Sequence, residues 1–274
     1  MPGPDPWRGA HVVVTGGSMG IGAAIARAAV EAGATVSLIA RDEATLRHTA
    51  DAVGARWASA DVSDGPGLAA AIAGLEAAGG PADVLVCSAG VSLPGLFVDA
   101  PLEEFEQQMA VNYLGTVHAI RAVLPGMLAR RRGHLVLVSS TAGLVGVVGL
   151  SGYAATKFAL VGMASSLRYE VEPSGVRVSV LHPPDTQTPG FDAENRRKPR
   201  ETAAVSGTIT PVSADTVAAA VIEGVRKRRA RITVDPMTRA LGFGASLLEP
   251  LARPWLARTI RRSRRSRVEG SERG

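Results

Sequence analysis

The stretch from Ser139 to Lys157, SSTAGLVGVVGLSGYAATK, holds the residues best suited to move a proton. Tyr153 and Lys157 are about one helical turn apart, so their side chains project from the same face of a helix. A free phenol has a pKa of about 10, too high for ready proton exchange at neutral pH. A neighbouring cation favours phenolate, and we expect Lys157, helped by the positive ring of a cofactor, to lower the pKa of Tyr153. The Ser140 hydroxyl can hydrogen-bond an oxygen that gains or loses charge, although Tyr and Lys at this spacing also occur on ordinary helix edges.

A glycine-rich stretch near the N-terminus, TGGSMGIG at 15–22, predicts a binding site for a dinucleotide phosphate. It follows a β-branched run directly and opens an Ala-rich helical pattern. Glycines permit a sharp turn and a close approach to a pyrophosphate, while the N–H groups of the helix N-terminus face the anion. The spacing of Gly16, Gly20 and Gly22 is GxxxGxG, which differs from the GxGxxG of ordinary dinucleotide domains. A plain turn is the alternative interpretation of such a loop taken alone.

The end of the second predicted strand bears on the choice of cofactor. A carboxylate at this strand tip usually holds an adenosine 2′-hydroxyl, whereas a 2′-phosphate requires a cation. The tip here is Ala40–Arg41, which favours NADP(H), although Asp42 follows immediately. Asp61, at the next strand end, is placed to accept a hydrogen bond from the adenine amino group. An exposed turn aspartate is the alternative for Asp61.

Short β-branched runs alternate with helical patterns over residues 10–235. This alternation predicts a single α/β domain with a Rossmann-like, doubly wound parallel sheet of about seven strands and helices on both faces. Ligands bind such sheets at the carboxyl ends of the strands. The predicted strands are His11–Thr15, Thr35–Ala40, Arg56–Ser59, Val84–Cys87, His134–Ser139, Val176–His182 and Ile232–Val234. The predicted helices include residues 20–32, 42–53, 103–128 and 151–171.

Residues 183–211 interrupt this alternation with a long polar segment, PPDTQTPGFDAENRRKPRETAAVSGTITP. Long irregular segments in compact domains are usually lids or disordered linkers. Because this one follows the carboxyl end of a strand, we expect an irregular substrate lid, with a disordered linker as the alternative.

Composition excludes several classes of protein. The single cysteine, Cys87, excludes an internal disulfide and a cysteine-based metal cluster, and the histidines are scattered, so no metal site is expected. Residues 1–9 are polar and proline-rich, without the apolar segment of a signal peptide; we expect them to be mobile and the protein to be cytoplasmic. No apolar run reaches the roughly 18 residues that a membrane span requires.

Residues 236–274 form a basic, amphipathic C-terminal extension. Residues 226–267 carry 13 Lys/Arg against Asp235 and Glu249, whereas the rest of the chain is mildly acidic. A polybasic cluster beside an apolar segment suits an anionic membrane, at about 1 kcal/mol per basic residue near the surface. We therefore expect peripheral contact with the inner membrane face through residues 236–267; a solvated tail is the alternative. No nucleic-acid partner is expected, because no recognition fold accompanies the charge. A homo-oligomer is compatible with the sequence.

Taken together, these motifs resemble those of the classical short-chain dehydrogenase/reductase family, over about residues 10–235. The motifs are TGGSMGIG, CSAG at 87–90, Asn112 in MAVNYLG, Ser140 and the Tyr153/Lys157 pair. The sequence departs from the family at Cys87 and Ser88, where two asparagines are usual.

The resemblance implies a catalytic set of four residues. Tyr153 is then the acid/base and Ser140 orients a substrate carbonyl. Lys157 holds the nicotinamide ribose and lowers the tyrosine pKa, while Asn112 supports a proton-relay water. Contacts with an NADPH/NADP+ cofactor are predicted at Gly16, Ser18, Met19, Gly20, Ile21, Gly22, Arg41, Asp61, Val62, Ala89, Gly90, Tyr153, Lys157, Pro183, Thr186 and Thr188.

Some segments are similar, within that family, to the 3-ketodihydrosphingosine (3-dehydrosphinganine) reductases. These segments are PPDTQTPGF at 183–191, AENRRKP at 193–199, NYLG at 112–115 and YAATKFAL at 153–160. This resemblance implies NADPH-dependent reduction of a lipid ketone, a long-chain 3-keto sphingoid base, in sphingolipid synthesis. One alternative is a short-chain reductase or dehydrogenase for another acyl, steroid or polyketide ketone. A more remote one is a non-catalytic nucleotide-sensing protein, against which the complete catalytic set argues.

Overall fold

The computed structural model describes residues 5–206 and 210–241, and these contain a seven-stranded sheet in which all neighbouring strands run parallel. Their bounds are β1 His11–Thr15, β2 Thr35–Ala40, β3 Arg56–Ser59, β4 Val84–Cys87, β5 Gly133–Val138, β6 Val176–His182 and β9 Arg231–Thr233. They lie in the order β3-β2-β1-β4-β5-β6-β9. The predicted doubly wound sheet is therefore confirmed, and only β5 and β9 begin one residue earlier than the sequence indicated.

Helices connect these strands. They are α1 Gly20–Glu31, α2 Glu43–Val53, α3 Gly65–Gly79, α4 Leu102–Gln108, α5 Gly115–Ala129, α6 Ser151–Val171, α7 Pro189–Arg197, α8 Arg200–Ser206 and α9 Ala214–Arg226. Two further strands of two residues, β7 Thr186–Gln187 and β8 Val212–Ser213, pair with each other. Within the described residues, no helix is long and apolar enough to cross a membrane.

Two apolar cores lie on opposite faces of the sheet, because successive strand side chains point in opposite directions. In β1, Val12 and Val14 belong to one core and Val13 to the other. Burying each such side chain stabilises the fold by roughly 1.5–3 kcal/mol. The sheet is thus buried on both faces, and ligands can reach it at the strand ends.

The helix predicted over 103–128 is one continuous helical run with a wider turn at its centre. α4 passes through a π-helical turn, Met109–Leu114, into α5. Single π turns inside α-helices are frequent at functional sites. Asn112, which is fully buried, lies in this turn.

The predicted mobility of residues 1–9 is wrong for the part that the structure describes. Trp7 is fully buried, and its indole N–H donates to the carbonyl oxygen of Ile222 at 3.0 Å. Asp5 forms an ion pair with Arg226 at 2.9 Å. A large aromatic side chain that can enter the core and satisfy its N–H group fixes this polar segment against α9.

The prediction of an irregular segment over 183–211 is also wrong, because the described part of it contains β7, α7 and α8. Thr188 caps α7 by accepting a hydrogen bond from the Phe191 N–H at 3.1 Å, and Pro189 occupies the first helical position. Both are ordinary helix-start signals. Whether this segment acts as a lid stays a prediction.

We expect the stability of the protein to fall below pH 6.5 because of two buried histidines. Burial lowers the pKa of His134 and of His182 to about 4. The unfolded chain takes up protons below pH ~6.5 while the folded chain does not, so stability is full above that pH and is lost as the pH falls towards 4. The loss at pH 5 is on the order of 2 kcal/mol per histidine. Urea unfolding at pH 7, 6 and 5 measures it.

The variant His134→Asn removes one of these groups. Its free energy of unfolding is therefore expected to fall between pH 7 and pH 5 by about half as much as that of the unchanged protein. His48→Asn, at an exposed position of α2, is the control and keeps the full decrease. An identical pH dependence in His134→Asn and in the unchanged protein would contradict the assignment.

Candidate active site

The loop between β1 and α1 lies against the loop that follows β4. Gly16 has a φ of +69°, and a Cβ atom there would come within 2.6 Å of the Ala89 Cα. A Cβ at Gly22 would lie 2.2 Å from the Gly16 carbonyl oxygen. Only glycine permits this packing. The two loops therefore expose backbone without side chains at the position predicted to bind the pyrophosphate, and we call this surface the pyrophosphate cradle. The two loops diverge from neighbouring strands, where open α/β sheets bind their ligands.

The N-terminus of α1 opens onto this cradle. Met19 occupies its N-cap without a side-chain hydrogen bond, and the first turn contains no acidic residue. Its free N–H groups and helix dipole favour an anion. The side chain of Thr188 would lie 3.2 Å from a Cβ at Gly20, so the chain after β6 closes on the same loop. A dinucleotide pyrophosphate fits this arrangement.

Three charged residues lie at the predicted adenosine end. The Arg41 guanidinium is 3.6 Å from an Asp61 carboxylate oxygen, and 58% of the arginine side chain is exposed. Asp61 also accepts hydrogen bonds from the N–H and hydroxyl of Ser63 at 2.8 and 2.6 Å. Partial burial raises the pKa of Asp61, but the bonds from Ser63 and the charge of Arg41 hold it below its ordinary value. Asp42 caps α2 through the Thr45 N–H at 2.8 Å.

The remaining predicted cofactor contacts occupy different environments. Ser18 accepts a hydrogen bond from the Thr49 hydroxyl through its carbonyl oxygen at 2.7 Å. Val62 is buried where Gly115 of α5 packs against it. Pro183 accepts from the Thr141 N–H at 3.1 Å. Met19 is partly exposed, and Ile21 packs partly against the core. Thr186 is buried and donates to Pro184.

Lys157 is buried where α6 meets the end of β5. Its ammonium donates to the Val138 carbonyl oxygen at 2.9 Å and lies 5.4 Å from the centre of the Tyr153 ring. A Cβ at Gly90 would be 3.6 Å from the same nitrogen. Burial lowers the pKa of Lys157 to about 8. The predicted juxtaposition of Tyr153 and Lys157 is therefore present.

The expected lowering of the Tyr153 pKa by Lys157 together with a cofactor's positive ring stays a prediction, and the protein's own groups act in the opposite direction. Burial raises the pKa of Tyr153, and the carboxylates of Glu194 and Asp185 raise it further, while a hydrogen bond with Ser140 lowers it. Desolvation and the two negative charges all disfavour phenolate, so their combined effect exceeds that of the hydrogen bond with Ser140. Tyr153 is thus held in its protonated form at neutral pH.

Asn112 connects three parts of the site. Its side-chain oxygen accepts from the Val91 N–H at 2.8 Å, and its amide donates to the Val91 carbonyl at 2.9 Å and to the Thr156 hydroxyl at 3.0 Å. The π turn is thereby tied to the loop after β4 and to α6. Asn112 is a positioning residue in this geometry, and its part in a proton relay stays a prediction.

The segment after β6 is anchored at its far end as well. Arg197 of α7 forms an ion pair with Glu104 of α4, and the Thr202 hydroxyl of α8 donates to the Val148 carbonyl at 2.8 Å. In the same segment, Lys198 and Glu194 form an ion pair of 3.0 Å with side chains only 4% and 14% exposed.

Sequence reasoning missed Thr156, Asp185, Glu194 and Lys198 as site residues. The charge pair at i,i+4 in AENRRKP was a usable signal, but its burial depends on packing that the sequence does not display. Among the residues that the structure describes, no group of His, Cys, Asp or Glu is suited to hold a metal ion. Cys87 is buried, and burial raises the pKa of its thiol to about 12.

Comparison with known proteins gives consistent matches. A family model described as short chain dehydrogenase matches residues 10–199. A 3-ketodihydrosphingosine reductase from Bos taurus is 43% identical over 232 residues, which cover 81% of this chain and 70% of the relative. A 3-dehydrosphinganine reductase from Danio rerio is 43% identical over 218 residues, which cover 76% of this chain and 65% of the relative.

Solved structures give the same picture. A short chain dehydrogenase/reductase from Burkholderia phymatum in complex with NAD superposes with a TM-score of 0.80 and is 26% identical. A short-chain dehydrogenase from Streptomyces avermitilis has a TM-score of 0.78 and is 29% identical. Each match covers 90% of this chain and 96% of the other.

We expect Gly16→Ala to weaken both folding and dinucleotide binding. The added methyl group would overlap Ala89 and strain a backbone in the left-handed region, so the free energy of unfolding should fall by about 1 kcal/mol or more. Displacing the loop from the β4 side should also weaken NADPH or NADH binding by at least about 10-fold, which corresponds to ~1.4 kcal/mol. Urea unfolding and titration of cofactor fluorescence measure these effects.

Gly74→Ala is the matched control. Gly74 lies inside α3, and a Cβ there meets no other atom within 4 Å. Because alanine favours a helix interior over glycine, this variant should gain about 0.5–1 kcal/mol of stability with unchanged cofactor affinity. Equal cofactor affinity in both variants would contradict the proposed pyrophosphate cradle.

Proposed function

The chain belongs to the short-chain dehydrogenase family, as an oxidoreductase that acts on a ketone or hydroxyl group with a nicotinamide cofactor, and we propose that it reduces 3-ketodihydrosphingosine to dihydrosphingosine with NADPH. The observation that carries the substrate proposal is the 43% identity, over most of this chain, to vertebrate proteins named for that activity. The segment after β6 contacts the glycine loop through Thr188 and supplies polar groups that such a substrate can contact.

The proposed chemistry begins with the Ser140 and Tyr153 hydroxyls. Both can donate a hydrogen bond to the ketone oxygen, which polarises the carbonyl. The bound nicotinamide supplies the hydride that the carbonyl carbon gains. Tyr153 gives its proton to the oxygen, so the ketone becomes a secondary alcohol. Burial raises the pKa of Tyr153, so the phenol is protonated before the reaction and is available as the proton donor.

Lys157 is suited to two roles in this proposal. Its ammonium, held by the Val138 carbonyl beside Gly90, can hydrogen-bond the ribose hydroxyls of the cofactor. Its pKa of about 8 also allows it to exchange a proton near neutral pH. Tyr153 can therefore recover its proton from this side of the site. Asn112 keeps α6 and the loop after β4 in register while this happens.

The test is reduction of 3-ketodihydrosphingosine by the purified protein, followed by NADPH absorbance and mass spectrometry of the product. We expect dihydrosphingosine, and Tyr153→Phe should lower the rate by at least about 100-fold because the proton donor is missing, while NADPH still binds. Tyr169→Phe, at an exposed position on the same helix, should behave as the unchanged protein. Preferred reduction of an acyl, steroid or polyketide ketone by the unchanged protein would overturn the substrate assignment.

The preference for NADPH is proposed from the state of two residues at the β2 tip. Asp42 is engaged as the N-cap of α2 and is therefore poorly available to a ribose hydroxyl. Arg41 is largely exposed, and its 3.6 Å pairing with Asp61 contributes at most about 1 kcal/mol, so its guanidinium can turn to a 2′-phosphate.

We expect Arg41→Ala to lower kcat/KM for NADPH by at least about 10-fold, with NADH affected less than about twofold, since a charge-assisted bond contributes roughly 1.5–3 kcal/mol. Steady-state kinetics with both cofactors measure the ratio. Arg47→Ala is the control, because Arg47 is equally exposed at 58% but lies on α2 beside Glu43. An unchanged cofactor ratio in Arg41→Ala would refute the role of Arg41.

We also propose that the enzyme is cytoplasmic and contacts the inner membrane face through residues 236–267. Of these residues the structure describes only 236–241, so the support is the basic and apolar composition of the sequence. A long-chain ketone resides in membranes, and attraction to anionic lipid would bring the enzyme to it. The reductase assay repeated with anionic and with neutral vesicles should show faster turnover only on the anionic ones.

The domain limits 10–235 and 236–274 also stay predictions.

A further inference from the structure

A buried histidine at the end of β6 contacts the residue that is predicted to orient the ketone. His182 is the last residue of β6 and is only 1% exposed. Its Nδ1 atom lies 3.2 Å from the carbonyl oxygen of Ser140. Because a carbonyl oxygen can only accept a hydrogen bond, Nδ1 must carry the hydrogen. The contact therefore selects the Nδ1-protonated tautomer of the ring.

The ring of His182 is neutral around neutral pH. Burial lowers the pKa of His182 to about 4; the bond to the Ser140 carbonyl opposes this shift, and the positive charge of Arg231 adds to it. A neutral imidazole has a single N–H group. His182 therefore donates its one hydrogen bond to Ser140.

The chain around Ser140 is fixed to the end of β6 at several points. The N–H groups of Ser139 and Thr141 donate to the carbonyl oxygens of the residues on either side of His182, at 2.9 and 3.1 Å. Between them, the Ser140 carbonyl accepts from the His182 ring and from the Gly143 N–H at 3.0 Å. His182 thus completes the attachment of this turn to β6, at the residue whose side chain is predicted to act on the substrate.

The hydroxyl of Ser140 takes its direction from this backbone. Its oxygen accepts a hydrogen bond from the Ala142 N–H at 3.1 Å, so that Ser140 caps the short helix Thr141–Gly143. This leaves the hydroxyl hydrogen to be donated, in the proposed reaction to the ketone oxygen. A rotation of the peptide group after Ser140 would move both the cap and the hydroxyl. A displacement of about 1 Å in an active site can lower a rate by about 100-fold.

We propose that His182 is a positioning residue for ketone reduction, which directs the Ser140 hydroxyl at the ketone oxygen by donating its Nδ1–H to the Ser140 carbonyl. This inference rests on the proposed function, because it concerns how the same site orients a ketone. His182 acts in this role through Ser140. Loss of its bond should lower kcat more than it raises KM, because the hydroxyl matters most when negative charge develops on the ketone oxygen.

Three replacements of His182 test the position of the donor. His182→Leu removes it, and kcat for 3-ketodihydrosphingosine should fall by at least about 10-fold while KM for the ketone and for NADPH change by less than about twofold. His182→Asn should recover most of kcat, because its amide N–H lies close to the position of Nδ1. His182→Gln, whose amide lies further out, near the position of Nε2, should stay as slow as His182→Leu. Equal kcat values in the asparagine and glutamine variants would contradict the role of the Nδ1–H group.

A double-mutant cycle measures whether His182 acts through the Ser140 hydroxyl. In the Ser140→Ala variant this hydroxyl is absent, so adding His182→Leu should change kcat by less than about twofold. If His182→Leu slows Ser140→Ala by the same factor by which it slows the unchanged protein, the two residues act independently and the proposal is refuted.

His134→Leu is the matched control. His134 is also a buried histidine, with Nε2 2.7 Å from the Ser179 hydroxyl, but it lies near the amino end of β5. Its replacement should lower stability and leave kcat unchanged. Urea unfolding of each variant separates a displaced hydroxyl from a lost fold. If His182→Leu does not fold, the difference between the asparagine and glutamine variants decides the proposal.

The tautomer of His182 can be measured without any substrate. Proton–nitrogen correlation spectra of the full chain, with His182 assigned by its absence from the spectrum of His182→Asn, should show the hydrogen on Nδ1 at neutral pH. A ring that carries its hydrogen on Nε2 would refute the hydrogen bond to Ser140.

The outcomes separate the two proposals. Full activity of His182→Leu on 3-ketodihydrosphingosine would refute the role of His182 and leave the proposed function standing. If the unchanged protein does not reduce this ketone, the proposed function fails; the tautomer then tests the hydrogen bond, and the same kinetic comparison is made with the ketone that the protein does reduce.

Discussion

The desolvation of one lysine is the constraint on which the site depends. Lys157 can be buried only if its ammonium finds an acceptor, and the Val138 carbonyl at the end of β5 provides it. α6 must therefore dock closely on the turn after β5. The Ser139 hydroxyl donates to the Lys157 carbonyl at 3.0 Å, and Gly143 is so close to the same carbonyl that a Cβ would approach within 2.9 Å. This docking places Tyr153 beside Ser140.

The same docking explains why a wide turn interrupts the long helix before β5. Asn112 must reach both Val91 and Thr156, which lie on different elements, and the π turn presents its side chain to them. Backbone groups of the loop after β4 are thereby satisfied by a side chain, which buried irregular backbone requires. The loop can then hold Ala89 against Gly16 at one end and Gly90 beside Lys157 at the other.

The features that could be predicted from the sequence are those that depend on a local pattern of residues. The β-branched runs located the strands, and the spacing of Tyr153 and Lys157 located the catalytic helix, because both follow from backbone periodicity. The π turn, the burial of Trp7 and the helices over 189–206 depend on partners far along the chain. The raised pKa of Tyr153 has the same origin, because burial and two carboxylates from far along the chain determine it.

Burial, with charges near the tyrosine, shifts the pKa values of Tyr153 and Lys157 in opposite directions. Burial beside negative charge keeps the Tyr153 phenol protonated and makes it a weaker acid than a free phenol. Lys157, with its pKa lowered by burial, stands on the other side as a group that exchanges protons more readily. Burial makes the largest contribution to the difference in proton affinity between Tyr153 and Lys157, and the carboxylates of the segment after β6 add to it by acting on the tyrosine. A positive charge brought close to Tyr153 would narrow this difference, because it would favour phenolate.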